Sequence, residues 1–457
     1  MRQGRRSLLG LALLGGMNRV LASGANARAG EDRHAALDAE LAAIAANRAC
    51  ELSSLSVLAI HRGKVQYQRQ FGQRFLPAGG LPGKPANERT LYRIASVSKL
   101  MTTLAAMRLV EEGKLALDTD IGDYLGYPLR NPHHPHRELT LRSLLTHTSS
   151  LRDDAGYSWP ANISLKSVLL PGEKHHGSGN MWARTAPPGD FFTYSNLGWA
   201  LIGTMMERVT GERFDRLMKR LLLDPLGMRG GYNPSDFSPE DLSNTATLYR
   251  KRTVESEIWN AAGPWIAQVD DYSLRPPVRP AGIDIYVPGV NATPFSPTGG
   301  LRASAADLAT VMLMLMNDGM HEGKQILRPA TLQRMFTRQW TYDGKGGNGD
   351  SERGLYNRWG MGNQQFPDRP DSGMQVVEGG GFSGVGHLGE AYGLNSTFIF
   401  DPVTRNGLIA LVGGVSSDPD AYKGAYSSMP RFQEQILTAL HRHALAGSGA
   451  VPAAGGQ

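Results

Sequence analysis

Apolar residues along this chain either repeat at three- and four-residue spacing or alternate with polar ones, and the two patterns fall in separate blocks. From about Arg33 to Arg48 the spacing of Leu37, Leu41 and Ile44 predicts an alanine-rich helix. Ser54 to Ile60 and Lys64 to Phe71 read as two strands of a hairpin around Arg62-Gly63. A Gly/Pro loop, Leu76 to Asn87, follows. Leu100, Leu104 and Met107 then mark one helical face, with Arg108, Glu111 and Glu112 opposite and Gly113 placed to end the helix. Leu141 to Thr148 is a short helix. A Gly/His-rich loop, Gly172 to Gly179, separates it from a longer one carrying Leu197, Leu201, Met205 and Val209 on one face and closing at Gly211. Helices are expected again at Phe214 to Leu223, at Ser304 to Asn317 behind the capping-box-like Ser304-Ala305-Ala306-Asp307, and at Pro329 to Phe336. Residues 255 to 300 are irregular and Pro-rich, a length of loop that usually serves binding or acts as a lid. Near the C-terminus a period of two returns in Gly386 to Tyr392, Asn395 to Phe400 and Gly407 to Val412, three adjacent antiparallel strands. Met429 to Ala446 is a final helix.

Composition changes this picture at the ends. With 457 residues and 41% apolar content the chain can bury a substantial core, and 55 Gly and 27 Pro fit many turns and long connections. Residues 1–27 read as an export leader. Arg2, Arg5 and Arg6 form a positive start, Leu8 to Leu14 a short apolar core, and Ala25-Asn26-Ala27 a small-x-small cleavage site, too short for a membrane span. Arg5-Arg6 before Ser7-Leu8-Leu9 points to the twin-arginine type, the general secretory route being the alternative. A periplasmic or secreted protein is therefore expected, with no stable membrane insertion once the leader is removed. Setting the leader aside takes the net charge from +6 to about +2, which is not the signature of a nucleic-acid binder. The single Cys50 excludes an intramolecular disulfide and any multi-Cys metal site. Gly447 to Gln457 reads as a disordered small-residue tail, leaving 28–446 as the folded domain.

The candidate chemistry begins at Ser96-Val97-Ser98-Lys99, at a helix start. Residues three apart share a helix face, so the ammonium can reach the hydroxyl. Serine is a poor nucleophile until a base takes its proton and donors await the oxyanion. Tyr194-Ser195-Asn196 lies on a loop after Pro188-Gly189, just before a helix, where a phenol and an amide can point the same way. His147 is expected to be a structural hydrogen-bonder. His133, His134 and His136 belong to an exposed Pro-rich loop, and nothing else in the sequence indicates a metal or an organic cofactor. Gly384-Val385-Gly386-His387-Leu388-Gly389 matches the dinucleotide glycine pattern in letters but lacks the strand-to-helix setting. Gly381-Phe382-Ser383-Gly384-Val385 is one glycine short of a nucleophile elbow.

Ser96-x-x-Lys99, Tyr194-x-Asn196 and His387-x-Gly389, in that order, resemble the three motifs of the penicillin-recognising serine hydrolases: class C β-lactamases, DD-peptidases, and their esterase and D-aminopeptidase relatives. The likeness runs from about residue 54 to 440 and includes Thr140 to Leu151 and Ser296 to Leu301. It implies an α/β (α+β) fold of the β-lactamase/transpeptidase type. Strands from about 54–71 and 385–415 would form one antiparallel sheet, with the Arg33 and Met429 helices on one face and a mainly helical region from about 97 to 340. The site would lie between them, with 255–300 near its mouth. It also implies that Ser96 forms an acyl-enzyme, that Tyr194, its proton loosened by the Lys99 charge, is the general base with Lys99 able to share the role, and that Asn196 holds the substrate. The N–H groups of Ser96 and Glu390 would be the oxyanion donors, and Gly389 would keep the strand edge clear for substrate.

Where many β-lactamases carry Lys-Thr-Gly, this chain has His387-Leu388-Gly389. That removes a hydroxyl and a permanent cation, and Glu390 adds a negative charge, so recognition of a substrate carboxylate is weakened. The expected activity is an exported hydrolase of amide, peptide or ester bonds, with cell-wall D-amino-acid peptides as one substrate class. The alternatives are a carboxylesterase or β-lactamase on the same site, or a penicillin-binding sensor that acylates once. The partner in each case is a small molecule or peptide.

Overall fold

The structure is a computed structural model that describes residues 32–252, 258–369 and 373–446. The expected leader and tail lie outside the described residues. The principal helices are α1 (32–45), α2 (Val97–Glu111), α3 (Asn196–Thr210), α4 (Ala305–Met316) and α5 (Arg431–Leu440). The long strands are β1 (Ser54–His61), β2 (Lys64–Phe75), β3 (Gly384–Ala391), β4 (Leu394–Asp401) and β5 (Asn406–Val412).

Alternation along the strands builds a two-sided sheet. In β1, Leu55, Val57 and Ala59 face one apolar cluster while Leu58 and Ile60 face the other; in β4, Ile399 faces the first while Phe398 and Phe400 face the second. The first cluster is completed by Leu37 and Leu41 of α1 and Phe432, Ile436 and Leu437 of α5. The second takes in α2, α3 and α4. Among the described residues the sheet has nine antiparallel strands, in the order Trp340–Thr341, Arg358–Trp359, Gln364–Phe366, β3, β4, β5, β1, β2, Lys84–Pro85. The hairpin β1–β2 thus joins the C-terminal meander through β1 and β5, with Leu55 opposite Val412 and Ile60 opposite Gly407.

The main expected elements are present, α4 with its reciprocal cap between Ser304 and Asp307. Two expectations are corrected. Helix α2 does not have a solvent face along its length: from Val97 to Met107 every residue is buried, because the helix runs through the middle of the larger cluster. The 255–300 stretch is not irregular throughout. Ile266–Val269 pairs with Leu248–Arg250, which in turn lies parallel to Gly414–Val415.

Candidate active site

Ser96 stands at the N-terminal end of α2, after a turn in which Ala95 takes a left-handed φ of 45°. Such backbone strain is held where surrounding structure over-determines it. Here Ile94 N–H donates to Leu301 O at 2.9 Å and Ser98 Oγ accepts from Leu301 N–H at 3.2 Å, so the turn is tied on both sides to the segment after Thr298.

One turn into α2, Lys99 is fully buried. Its Nζ lies 2.9 Å from Ser96 Oγ, 2.7 Å from Asn196 Oδ1 and 3.0 Å from Thr298 O. Burial pushes its pKa down to about 7, against the smaller opposing pull of Asp153. Two of its three partners can only accept hydrogen bonds; Ser96 alone can donate.

Asn196 owes its orientation to Asp153, which the sequence analysis did not single out. Asp153 accepts from Asn196 Nδ2 and the Asn196 N–H, both at 2.8 Å, from Leu197 N–H at 3.0 Å and from Ser195 Oγ at 3.1 Å. A carboxylate at the start of α3 satisfies its orphan amides and complements its dipole. The Asn196 oxygen accepts from both Lys99 and Thr298 Oγ1 (2.6 Å) and is full, leaving one amide hydrogen for anything in the cavity.

Tyr194 stacks on Tyr356, ring centres 4.7 Å apart and planes within 4°, and leans on His147 at 4.5 Å. Lys99 Nζ lies 4.9 Å from the centre of its ring. The expected loosening of its phenol proton is corrected: burial pushes the pKa up, outweighing the opposite effects of Ser96 and Tyr356. His147 is the hydrogen-bonder expected of it. Its Nδ1 accepts from the Ser195 N–H at 3.0 Å and its carbonyl from the Thr193 N–H at 2.8 Å, so it shapes the turn that presents Tyr194.

The third motif lies on β3, and its roles differ from expectation. His387, expected as a substrate contact, is fully buried beside Trp359 and Tyr194 and does not line the cavity. Burial, then the Lys99 charge, pushes its pKa down to about 3, so it is a neutral ring behind the site. Gly389 lines the cavity, and close packing gives a further reason for its size: a Cβ there would come within 2.5 Å of Ser396 Oγ, 2.8 Å of Ile94 O and 2.9 Å of Ser96 N. The strand is pressed against the backbone that carries Ser96. Leu388 N–H donates to Gln364 Oε1 at 2.8 Å, and by the two-residue period the Glu390 N–H leaves β3 from the same edge.

These groups open on a cavity of about 730 Å³ whose walls include Ser96, Tyr157, Tyr194, Tyr356, Glu390 and Tyr392. Thr293, Pro294 and Ser296 line it as well, which puts the end of the 255–300 stretch at the site. Ser383 is exposed and outside this cavity. Among the described residues no group of three or more His, Cys, Asp or Glu is arranged to hold a metal ion, and no helix is long and apolar enough to cross a membrane. Asp153 and Tyr356 escaped sequence reasoning, and Thr298 entered it only as part of the Ser296 to Leu301 block, without a role. Asp153 sits in an ordinary acidic pair, Asp153-Asp154, and Thr298, which uses both its carbonyl and its hydroxyl, has no local pattern that sets it apart.

A family model described as Beta-lactamase matches residues 38–428. Protein Rv1367c of Mycobacterium tuberculosis (strain ATCC 25618 / H37Rv) is 30% identical over 316 residues, 64% of this chain and 70% of that protein. Esterase EstB of Burkholderia gladioli is 31% identical over 192 residues, 39% of this chain and 46% of the esterase. Among solved structures, the octameric penicillin-binding protein homologue from Pyrococcus abyssi superposes with a TM-score of 0.59 at 25% identity, covering 84% of this chain and 74% of its own. The D-amino acid amidase from Ochrobactrum anthropi SV3 gives 0.60 at 20% identity, covering 90% and 97%, a likeness of fold.

Proposed function

The chain belongs to the β-lactamase family of serine hydrolases, and from that premise we propose that it is exported and cleaves ester, amide or peptide bonds through an acyl-enzyme on Ser96. The observation that carries this reading is the environment of Lys99. A neutral amine gives its two hydrogens to Asn196 Oδ1 and the Thr298 carbonyl, which leaves its lone pair directed at the Ser96 hydroxyl, 2.9 Å away. Lys99 is therefore the base. As Ser96 Oγ bonds to the substrate carbonyl carbon, its proton passes to Lys99 Nζ. The carbonyl oxygen takes the negative charge between the N–H groups of Ser96 and Glu390. Collapse expels the alcohol or amine, which receives a proton from Lys99 through the phenol of Tyr194. Water then repeats the sequence on the acyl-enzyme.

Tyr194 acts as a protonated donor, since burial holds its proton. Asn196 offers its one free amide hydrogen to the acyl group. The substrate class is read from the third motif: His387 is neutral and buried, so β3 offers no cation beside Ser96, and Glu390 shares the cavity wall with Glu352, Asp420, Arg353 and Lys423. Esters and amides without a carboxylate beside the scissile bond fit this wall better than D-alanyl peptides or β-lactams. Relatives that include an esterase and a D-amino acid amidase support the same range.

The test is p-nitrophenyl acetate turnover by wild type and Ser96→Ala, beside intact-protein mass spectrometry with a β-lactam. Ser96-dependent multiple turnover is expected, and near-wild-type rates in Ser96→Ala overturn the reading. A single burst without further turnover returns the sensor alternative, and a persistent β-lactam adduct absent from Ser96→Ala favours the peptidase branch. Export is tested by N-terminal sequencing of protein recovered outside the cytoplasm; an intact Met1 counts against it.

A further inference from the structure

The strand Ile266–Val269 ends at Asp270, whose φ of 60° turns the chain sharply inward. Its carboxylate is buried, with 1% of the side chain exposed, between two arginines that are 17% (Arg93) and 5% (Arg302) exposed. Arg93 donates from Nε and Nη2 at 3.0 and 2.8 Å; Arg302 donates from the same two atoms at 3.3 and 2.7 Å; Tyr272 Oη adds a bond of 2.9 Å. Two forked guanidiniums on one carboxylate fix direction as well as distance. Burial pushes the Asp270 carboxyl up, but Arg302 and Arg93 outweigh it and hold the carboxyl well below the usual range.

The two arginines lead to the two halves of the proposed site. Arg93 is three residues before Ser96 and pairs in register with Arg302 across the two-stranded ladder Tyr92–Arg93 to Arg302–Ala303. Arg302 also donates from Nη1 to Gly300 O at 2.8 Å, two residues past the Thr298 carbonyl that binds Lys99. The main sheet reaches the Ser96 turn through β3 and β4, Ser396 Oγ donating to Ile94 O at 2.8 Å, and the Arg93–Asp270–Arg302 cluster joins that turn to the Thr298 segment. We propose that Asp270 is a positioning residue for catalysis: by gripping Arg93 and Arg302 together it sets the separation of the Ser96 hydroxyl and the Thr298 carbonyl, and so keeps the Lys99 lone pair on Ser96.

This inference rests on Lys99 as the base. It is tested by the rate at which a fluorophosphonate labels Ser96, followed against pH, in wild type, Asp270→Asn and Arg302→Lys. Asp270→Asn adds positive charge to the cluster, whereas Arg302→Lys leaves the charge unchanged and removes the fork. The groups facing Lys99 (Ser96, Tyr194, Asn196, Asp153, His147 and His387) are untouched by either change. A clamp predicts the same response from both variants. Labelling slows by about 10²-fold, as for a misplaced reacting group, and the limb near pH 7 moves to higher pH as water reaches the amine. A limb that moves to lower pH in Asp270→Asn and stays in place in Arg302→Lys overturns the clamp in favour of plain electrostatics. Lower melting temperatures with wild-type rates and limb overturn it in favour of a stability role. If Asp270→Asn does not fold, Arg302→Lys decides by itself, a wild-type rate and limb in that variant overturning the clamp. Failure of the base assignment reads differently: wild type would then lack the limb, or Ser96→Ala would still be labelled.

Discussion

Asp153 Oδ2 takes one amide hydrogen of Asn196 at 2.8 Å, and that bond decides which end of the Asn196 side chain meets Lys99. Freed from it, the amide can turn and set an N–H group against the Lys99 Nζ. Asp153→Ala is expected to lose about 10–100-fold in turnover through misplacement and about 1 kcal/mol of stability as the Asn196 and Leu197 amides at the start of α3 lose their acceptor. Turnover assays and thermal melts check both. Unchanged turnover with lowered stability would make Asp153 a cap and nothing more.

The pH dependence has a definite sign. Lys99 works as the neutral amine, so kcat/KM should rise with pH through about 7 and fall roughly tenfold per unit below it. His387, pushed down to about 3, adds no limb near neutrality. Lys99→Arg should abolish turnover and the limb together, since a guanidinium does not give up its proton. A rate–pH profile with a non-ionisable ester settles it; a flat profile from pH 5 to 8 would exclude Lys99 as the base.

Gly389→Ala should be severe although it adds one methyl group. Two of the three atoms in its way, Ile94 O and Ser96 N, are backbone and cannot rotate aside. The expected cost is about 1–3 kcal/mol of stability, with a fall in kcat larger than any change in KM because Ser96 is displaced. Steady-state kinetics and denaturant melts read this, and wild-type behaviour would show that the two backbones are not packed as described.

Ser96→Ala should lower turnover by roughly 10⁴–10⁶-fold. Ser383→Ala, on an exposed turn before β3, should leave it unchanged. A comparable collapse in Ser383→Ala would move the nucleophile.

The long strands and α2 were legible because they carry their own period. Leu55, Val57 and Ala59 against Leu58 and Ile60 is an alternation any reader of the sequence can follow. The buried all-round character of α2 was not, since Thr102 and Thr103 look like a solvent face until their hydroxyls are seen bonded to Pro297 O and Lys99 O. Short edge strands such as Trp340–Thr341 and Arg358–Trp359 exist by pairing alone and have no period to detect. At the site, Ser96-x-x-Lys99 and Tyr194-x-Asn196 were weak signals singly and stood out through their resemblance, in order with His387-x-Gly389, to a known set of motifs; the structure brings Lys99 within hydrogen-bond distance of Ser96 and Asn196. Asp153 and Asp270 did not stand out, because each acts across a fold-dependent distance on residues far away in sequence. His387 was placed correctly on its strand but on the wrong side of the wall, because Tyr194 and Trp359 cover it.

The partnership of β1 with β5 has a bearing on how the chain is made. More than 350 residues must leave the ribosome between the synthesis of Leu55 and that of Val412, its neighbour in the sheet. Sequence-distant pairing of this kind delays folding and leaves β1 with an open edge meanwhile. A chain halted short of β3 already contains Ser96 and Lys99 yet lacks the Glu390 amide, and is expected to be inert. The site is thus complete only once β3 has been made and has paired with β4.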